Sequence, residues 1–279
     1  MNEDITGRLG YFLEKLGLAE EPMGVYYTDQ APAGGISPKT SSLPTRDREI
    51  AGEIDWQEIF SDFSCVIGNI WRARRKKQPA VFDNQRFGCP GAAFFLGFMK
   101  PQTETIIHYV SSGIPGHMEG ELYCESPDEL RKIFDYIDPP HANAAFCVFK
   151  PLSTFEGDEK PELVIFFARP ESLCGLHQLA AFVTNDPEVV VSPWGAACTD
   201  LVTWPMKYLN EGRKKAVLGG WDPSARKFFK TDELSFTVPN DMFVQMLERF
   251  DESFLKTHTW EIVTKKIRRS EKVWGEGLL

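Results

Sequence analysis

The chain of 279 residues contains only six cysteines and no C-x-x-C pair. That usage fits neither a disulfide-dense scaffold nor a short-range zinc cluster. G-x-G-x-x-G, G-x-x-x-x-G-K-[ST], G-x-S-x-G and H-E-x-x-H are all missing. The sequence therefore carries no dinucleotide, P-loop, serine-hydrolase or zincin signature. The longest apolar runs, Ala92 to Met99 and Leu163 to Ala168, are far short of the roughly 20 residues that span a bilayer. The opening Met1-Asn-Glu-Asp-Ile-Thr6 has no basic n-region and no apolar h-region, so no secretion signal is expected. Positive charge is also scarce: 31 Lys and Arg face 40 Asp and Glu, for a net charge of −9. An acidic chain is a poor match for a nucleic-acid backbone or an anionic membrane. These absences predict a cytoplasmic protein with reduced thiols whose partner is a small molecule, not a nucleic acid or a membrane. The oligomeric state leaves no trace in the sequence.

What is present suits a packed globule, with 42% hydrophobic residues, 25% charged residues and 21 Phe. Ile5, Leu9, Phe12 and Leu16 fall at helical spacing, with Gly17 as a stop. A strand is read at 23–27, then a polar, Pro- and Gly-containing loop at 30–49. A helix is expected from Trp56 to Arg75 with Cys65 in its middle. Its basic end, Arg72 to Lys77, is read as a helix C-terminus matching the dipole. Further strands are expected at 80–82, 104–110, 120–124, 144–150, 162–168, 188–192, 214–218 and 233–237. Those at 144–150 and 162–168 are read as a hairpin. Helices are expected at 127–137 and 239–250.

Four of the cysteines form two equally spaced pairs. Cys65 and Cys89 stand 24 residues apart, as do Cys174 and Cys198, and the second pair begins 109 residues after the first. Glu121-Leu122-x4-Pro127-Asp128-Glu129 is echoed by Glu233-Leu234-x4-Pro239-Asn240-Asp241. The fold expected is α/β or α+β: two similar, pseudo-repeated halves around a mixed sheet in one globule. The halves are 1–140, with the inserted loop 30–49, and 141–251. A C-terminal helix and tail occupy 252–279.

Cys89 and Cys198 share a setting of small residues followed by a helix start, with Pro90 at the first helical position. A thiol at a helix N-terminus gains from the dipole and free N–H groups, which favours the reactive thiolate. The small neighbours Gly88, Gly91 and Gly195 would let a ligand approach the backbone. Against this stands the reading of Cys as a small hydrophobe filling a crowded joint. Cys65 and Cys174 sit among apolar helical residues and read as core thiols. If all four converge, the set Cys65, Cys89, Cys174 and Cys198 admits an iron–sulfur cluster or zinc. Cys174 and His177 share a helix face. His117, in a turn near Glu119 and Glu121, and Arg226, a candidate anion clamp, are further ligand-binding candidates beside their blander readings as a solvated loop His and a salt-bridged turn Arg. Cys124 and Cys147 are expected in strands.

Four stretches carry a family resemblance: Leu16-Gly-Leu18 with Pro22-Met-Gly-Val25, Gly88-Cys-Pro-Gly-Ala-Ala93, Gly195-Ala-Ala-Cys-Thr-Asp-Leu-Val-Thr-Trp-Pro205, and Ala216-Val-Leu-Gly-Gly-Trp-Asp-Pro-Ser-Ala-Arg226. In these the chain resembles the uncharacterised prokaryotic ArCR family, domain of unknown function 169. The resemblance implies membership and a cytoplasmic prokaryotic setting, and it transfers no catalytic residue. The functional expectation rests on chemistry alone. It is a small ligand or a soft metal or iron–sulfur group held between the halves by the Gly-Cys turns. The alternatives are a thiol-dependent redox enzyme using Cys89 or Cys198, and a non-catalytic regulatory or scaffold protein.

Overall fold

The computed structural model describes residues 3–39, 64–98, 104–139, 141–157 and 159–275. Residues 40–49 of the expected loop and 56–63 of the expected helix lie outside these. The first elements are α1 (Glu3–Leu16), β1 (Met23–Thr28), α2 (Val66–Lys76), β2 (Ala80–Phe82), α3 (Pro90–Phe95), α4 (Thr105–Val110) and α5 (Pro127–Ile137). Then come β3 (Phe146–Pro151), β4 (Leu163–Ala168), α6 (Pro170–Thr184), β5 (Val190–Val191) and a π-helical turn, Thr199–Thr203, continuing into α7 (Trp204–Asn210). β6 (Ala216–Gly219), β7 (Leu234–Pro239), α8 (Asn240–Arg249) and α9 (His258–Gly275) complete the chain.

The strands make a mixed seven-stranded sheet in the order β2-β3-β1-β4-β7-β6-β5. β5 and β6 are parallel, and every other pairing is antiparallel. The architecture is mixed α/β, as expected. β4 reads Leu-Val-Ile-Phe-Phe-Ala, an almost unbroken apolar run, because helices cover both faces of the sheet at its centre. Alternation along the strands divides the core in two. Met23, Val25, Leu163, Ile165 and Val217 face α2, α3, α5 and α7. Tyr26, Val148, Val164, Phe166, Phe236 and Val238 face α1, α6 and α8.

Local chemistry explains the best-read elements. α5 begins with Ser126 accepting from the Glu129 N–H, carries Pro127 at its first turn, and buries Leu130, Phe134 and Ile137 at helical spacing. α2 ends at Lys77 in the left-handed region (φ 52°). Its basic end is anchored within the chain: Arg74 pairs with Glu20 and Glu233, and Arg75 lies over Trp71.

Several expectations need correction. β3 and β4 are not a hairpin, because β1 lies between them and pairs with both. Residues 105–110 form a helix despite a β-branched sequence, with Ser111 Oγ–H returned to the Ile107 carbonyl. Tertiary placement here overrides propensity. Residues 121–123 are not a strand either. Their N–H groups donate to the Tyr109, Ser111 and Val110 carbonyls and so close the C-terminal end of α4. Cys124 is accordingly outside any strand, whereas Cys147 lies on β3.

Candidate functional site

Cys65, Cys89 and Cys198 each immediately precede a helical turn. Cys65 is the N-cap of α2 rather than a mid-helix residue, Cys89 caps α3, and Cys198 opens the π-helical turn. The Ser64 N–H donates to the Gly88 carbonyl at 3.0 Å, so the segments bearing Cys65 and Cys89 run side by side. Gly88 makes this approach possible. Its φ is +87°, and a Cβ there would stand 2.3 Å from the Ser64 carbonyl oxygen. All three cysteines line one cavity of about 890 Å³ on the α2 face of the sheet. Its walls come from residues 64–134 and 192–228, and include the rings of Trp71, Tyr109, Tyr123, Trp194, Trp221 and Phe228.

The fourth thiol of the expected set is elsewhere. Cys174 is exposed on α6, a helix that packs on the opposite face of the sheet, with His177 exposed beside it. The four-thiolate arrangement that zinc or an iron–sulfur cluster would use does not assemble. Among the described residues, no group of three or more His, Cys, Asp and Glu is placed to hold a metal ion.

Protonation is also contrary to expectation. Burial pushes the Cys65 thiol up, against the amides of Gly68 and Ile67 that pull it down. Burial, then the nearby Cys65, push Cys89 up to about 12, and Cys198 is raised well above the usual range by burial and by both other thiols. Helix N-termini are present, but desolvation of the charged form outweighs them, so the trio is neutral.

Gly91 and Gly195 line the cavity as expected. Gly88 stands behind Cys89, supporting the turn. Arg226 is no anion clamp. Its guanidinium donates to the carbonyls of Gly220, Glu233, Lys230 and Thr231 and shapes the 220–233 loop. His117 is exposed in the 114–118 turn, away from the cavity lining.

The sequence reading missed three acids that share the cavity with the thiols: Glu121, Asp200 and Asp222. Glu121 is presented by the segment that closes α4, and its carboxyl hydrogen-bonds with the side chains of Tyr109 and Ser224. Asp222 Oδ2 accepts the Ala197 N–H at 3.1 Å, and Oδ1 accepts the Ser224 N–H and hydroxyl at 2.9 and 2.7 Å. This carboxylate therefore links the Gly219-Gly-Trp-Asp222 turn to the Cys198 turn. Asp200 is 1% exposed. Its Oδ2 accepts the Gly220 N–H at 3.1 Å, while Oδ1 has no partner. Gly219 leaves it room, since a Cβ there would lie 2.2 Å from Asp200 Cβ. Burial, then repulsion from Asp222, raise Glu121 to about 7. Burial raises Asp200 to about 8, with Asp222 adding to the shift and the Gly220 amide opposing it. The available signal was the pair of small-residue turns around Asp200 and Asp222, in the same motifs that point to Cys198.

No helix among the described residues is long and apolar enough to cross a membrane. No curated protein and no solved structure matches the chain. The family model of DUF169, described as uncharacterised ArCR, matches residues 12–249, and the chain belongs to that family.

Proposed function

We propose that the protein binds a small molecule in the cleft between its two sequence halves, with Cys65, Cys89 and Cys198 lining the site. The observation that carries this reading is the cavity of about 890 Å³, where aromatic walls meet a few convergent polar groups. That volume lies in the range of ordinary ligand pockets. Both sequence halves contribute to its walls. A redox enzyme using a low-pKa thiol is less well supported, because Cys89 and Cys198 are held neutral by burial. A purely structural role for the thiols leaves the cavity unexplained.

The test is a screen of rigid aromatic fragments against the full chain. It reads the thermal midpoint and the rate at which N-ethylmaleimide modifies Cys65. Fragments that raise the midpoint and also slow modification of Cys65 are expected. If no fragment does both, the cleft is not a ligand site.

A further inference from the structure

Among the described residues, no cation pairs with the acids inside the cleft. Arg72 and Lys227 line it, but both are exposed, and the Lys227 ammonium lies over the Phe228 ring at 5.3 Å. The groups facing Glu121 are Tyr109 from α4, Tyr123 from its own segment, and Asp222 and Ser224 from the 220–225 loop. The rest of the lining contributes Cys65, Cys89, Cys198 and Asp200. Among the described residues, the buried titratable side chains of the lining are thus acids and thiols, with Lys227 reaching Cys65 from the rim. Asp200 adds an independent sign of a missing partner, since Oδ1 is buried without any hydrogen-bond partner among the described residues. A buried polar atom left unpaired is costly, on the order of 1–3 kcal/mol, and is retained more readily where a ligand supplies the partner. The walls point the same way, because the faces of Trp and Tyr rings are the negative surfaces on which cations settle. Trp221 and Trp194 are 55% and 42% exposed, large apolar areas at the cleft over which none of the described side chains stacks.

We propose that the ligand of this cleft is a planar organic cation, an amidinium, a guanidinium or a protonated N-heterocycle, whose N–H groups face Glu121 and Asp222 while its flat face lies on the aromatic wall. This rests on the small-molecule reading above and specifies its charge and shape. A bound cation favours the ionised form of Glu121. Binding therefore releases protons at neutral pH, and it weakens as falling pH protonates the carboxyl.

Three isosteric probes test the charge: benzamidine, which is cationic across the working range, benzamide, which is neutral, and benzoate, which is anionic. Calorimetry on the full chain should show benzamidine binding at least about tenfold more tightly than benzamide, with benzoate weakest. The benzamidine affinity should fall about tenfold between about pH 8 and about pH 6. Glu121→Gln should remove most of that pH dependence and most of the preference for benzamidine over benzamide. If the variant does not fold, the probe series and pH profile of the unaltered protein stand alone. Benzoate binding as tightly as benzamidine, or a benzamidine affinity flat with pH, overturns the charge assignment and leaves a ligand cleft in place. Failure of all three probes together with an empty fragment screen removes the cleft reading itself.

Discussion

The two faces of the sheet are built differently. On the α6 face, Phe12, Phe166, Phe243 and Phe250 interlock, with ring centroids 5.5–6.3 Å apart. The helices there close over the strands, and Arg8 fixes α1 to the end of α8 through the Leu247 and Glu248 carbonyls and Asp251. On the α2 face the cover is split around a cavity. Among the described residues, the buried side-chain atoms without a partner are Asn69 Oδ1, Asp200 Oδ1, the Ser235 and Thr237 hydroxyls and Glu171 Oε2. All but the last belong to the cleft face, since Phe236 and Val238 turn to the other side of β7. Local rules of packing and polar satisfaction are kept on one face and broken on the other, which is the pattern expected when one face carries stability and the other a site.

Truncation on each face is the strongest way to break that comparison. Phe166 is fully enclosed, so Phe166→Ala should cost about 3–5 kcal/mol. Cys89→Ala removes atoms that already border empty space and should cost no more than about 1 kcal/mol. Urea unfolding of both variants checks the pair. A Cys89→Ala as costly as Phe166→Ala would mean that the cleft face is packed for stability after all.

The next largest effect is in pH. The Asp200 carboxyl has a value near 3.8 when unfolded and about 8 when folded. Between these limits the folded chain holds a proton that the unfolded chain has lost. The stabilisation is fully present below the unfolded value and disappears as pH rises toward about 8. Asp200→Asn keeps an acceptor for the Gly220 N–H but cannot ionise. The variant should therefore gain about 2–4 kcal/mol relative to the unaltered protein between about pH 5 and about pH 8. Denaturation curves at the two pH values report it directly. Equal pH slopes in the two proteins would show that Asp200 is ionised in the fold.

How much of this was legible depended on whether a feature is local. The helix at 127–137, the apolar run of β4 and the placement of Cys89 before Pro90 are decided within a few residues, and all three stand where the sequence put them. The pairing of β1 between β3 and β4 is decided across more than a hundred residues, and a hairpin was expected in its place. The equal spacing of the cysteine pairs suggested equivalent sites. Yet Cys65 and Cys174 sit on opposite faces of the sheet, a distinction that spacing cannot express. Glu121, Asp200 and Asp222 look like any surface acid in one dimension. Only the fold sets them beside one another, and it is burial and the nearby Asp222 that raise Glu121 and Asp200.

The smallest effect concerns the thiols and separates the faces by rate alone. Cys174 is exposed on α6, whereas Cys89 and Cys198 are held as neutral thiols by burial. Because the thiolate is the attacking form, iodoacetamide near neutral pH should label Cys174 first, with Cys89 and Cys198 at least about tenfold slower. Denaturant should erase the difference, since it abolishes both burial and the mutual repulsion. Peptide mapping against time gives the rates residue by residue. A fast Cys89 in the folded protein would show that the helix N-terminus outweighs desolvation, and the cleft would then have to be read as a nucleophile's pocket before a ligand's.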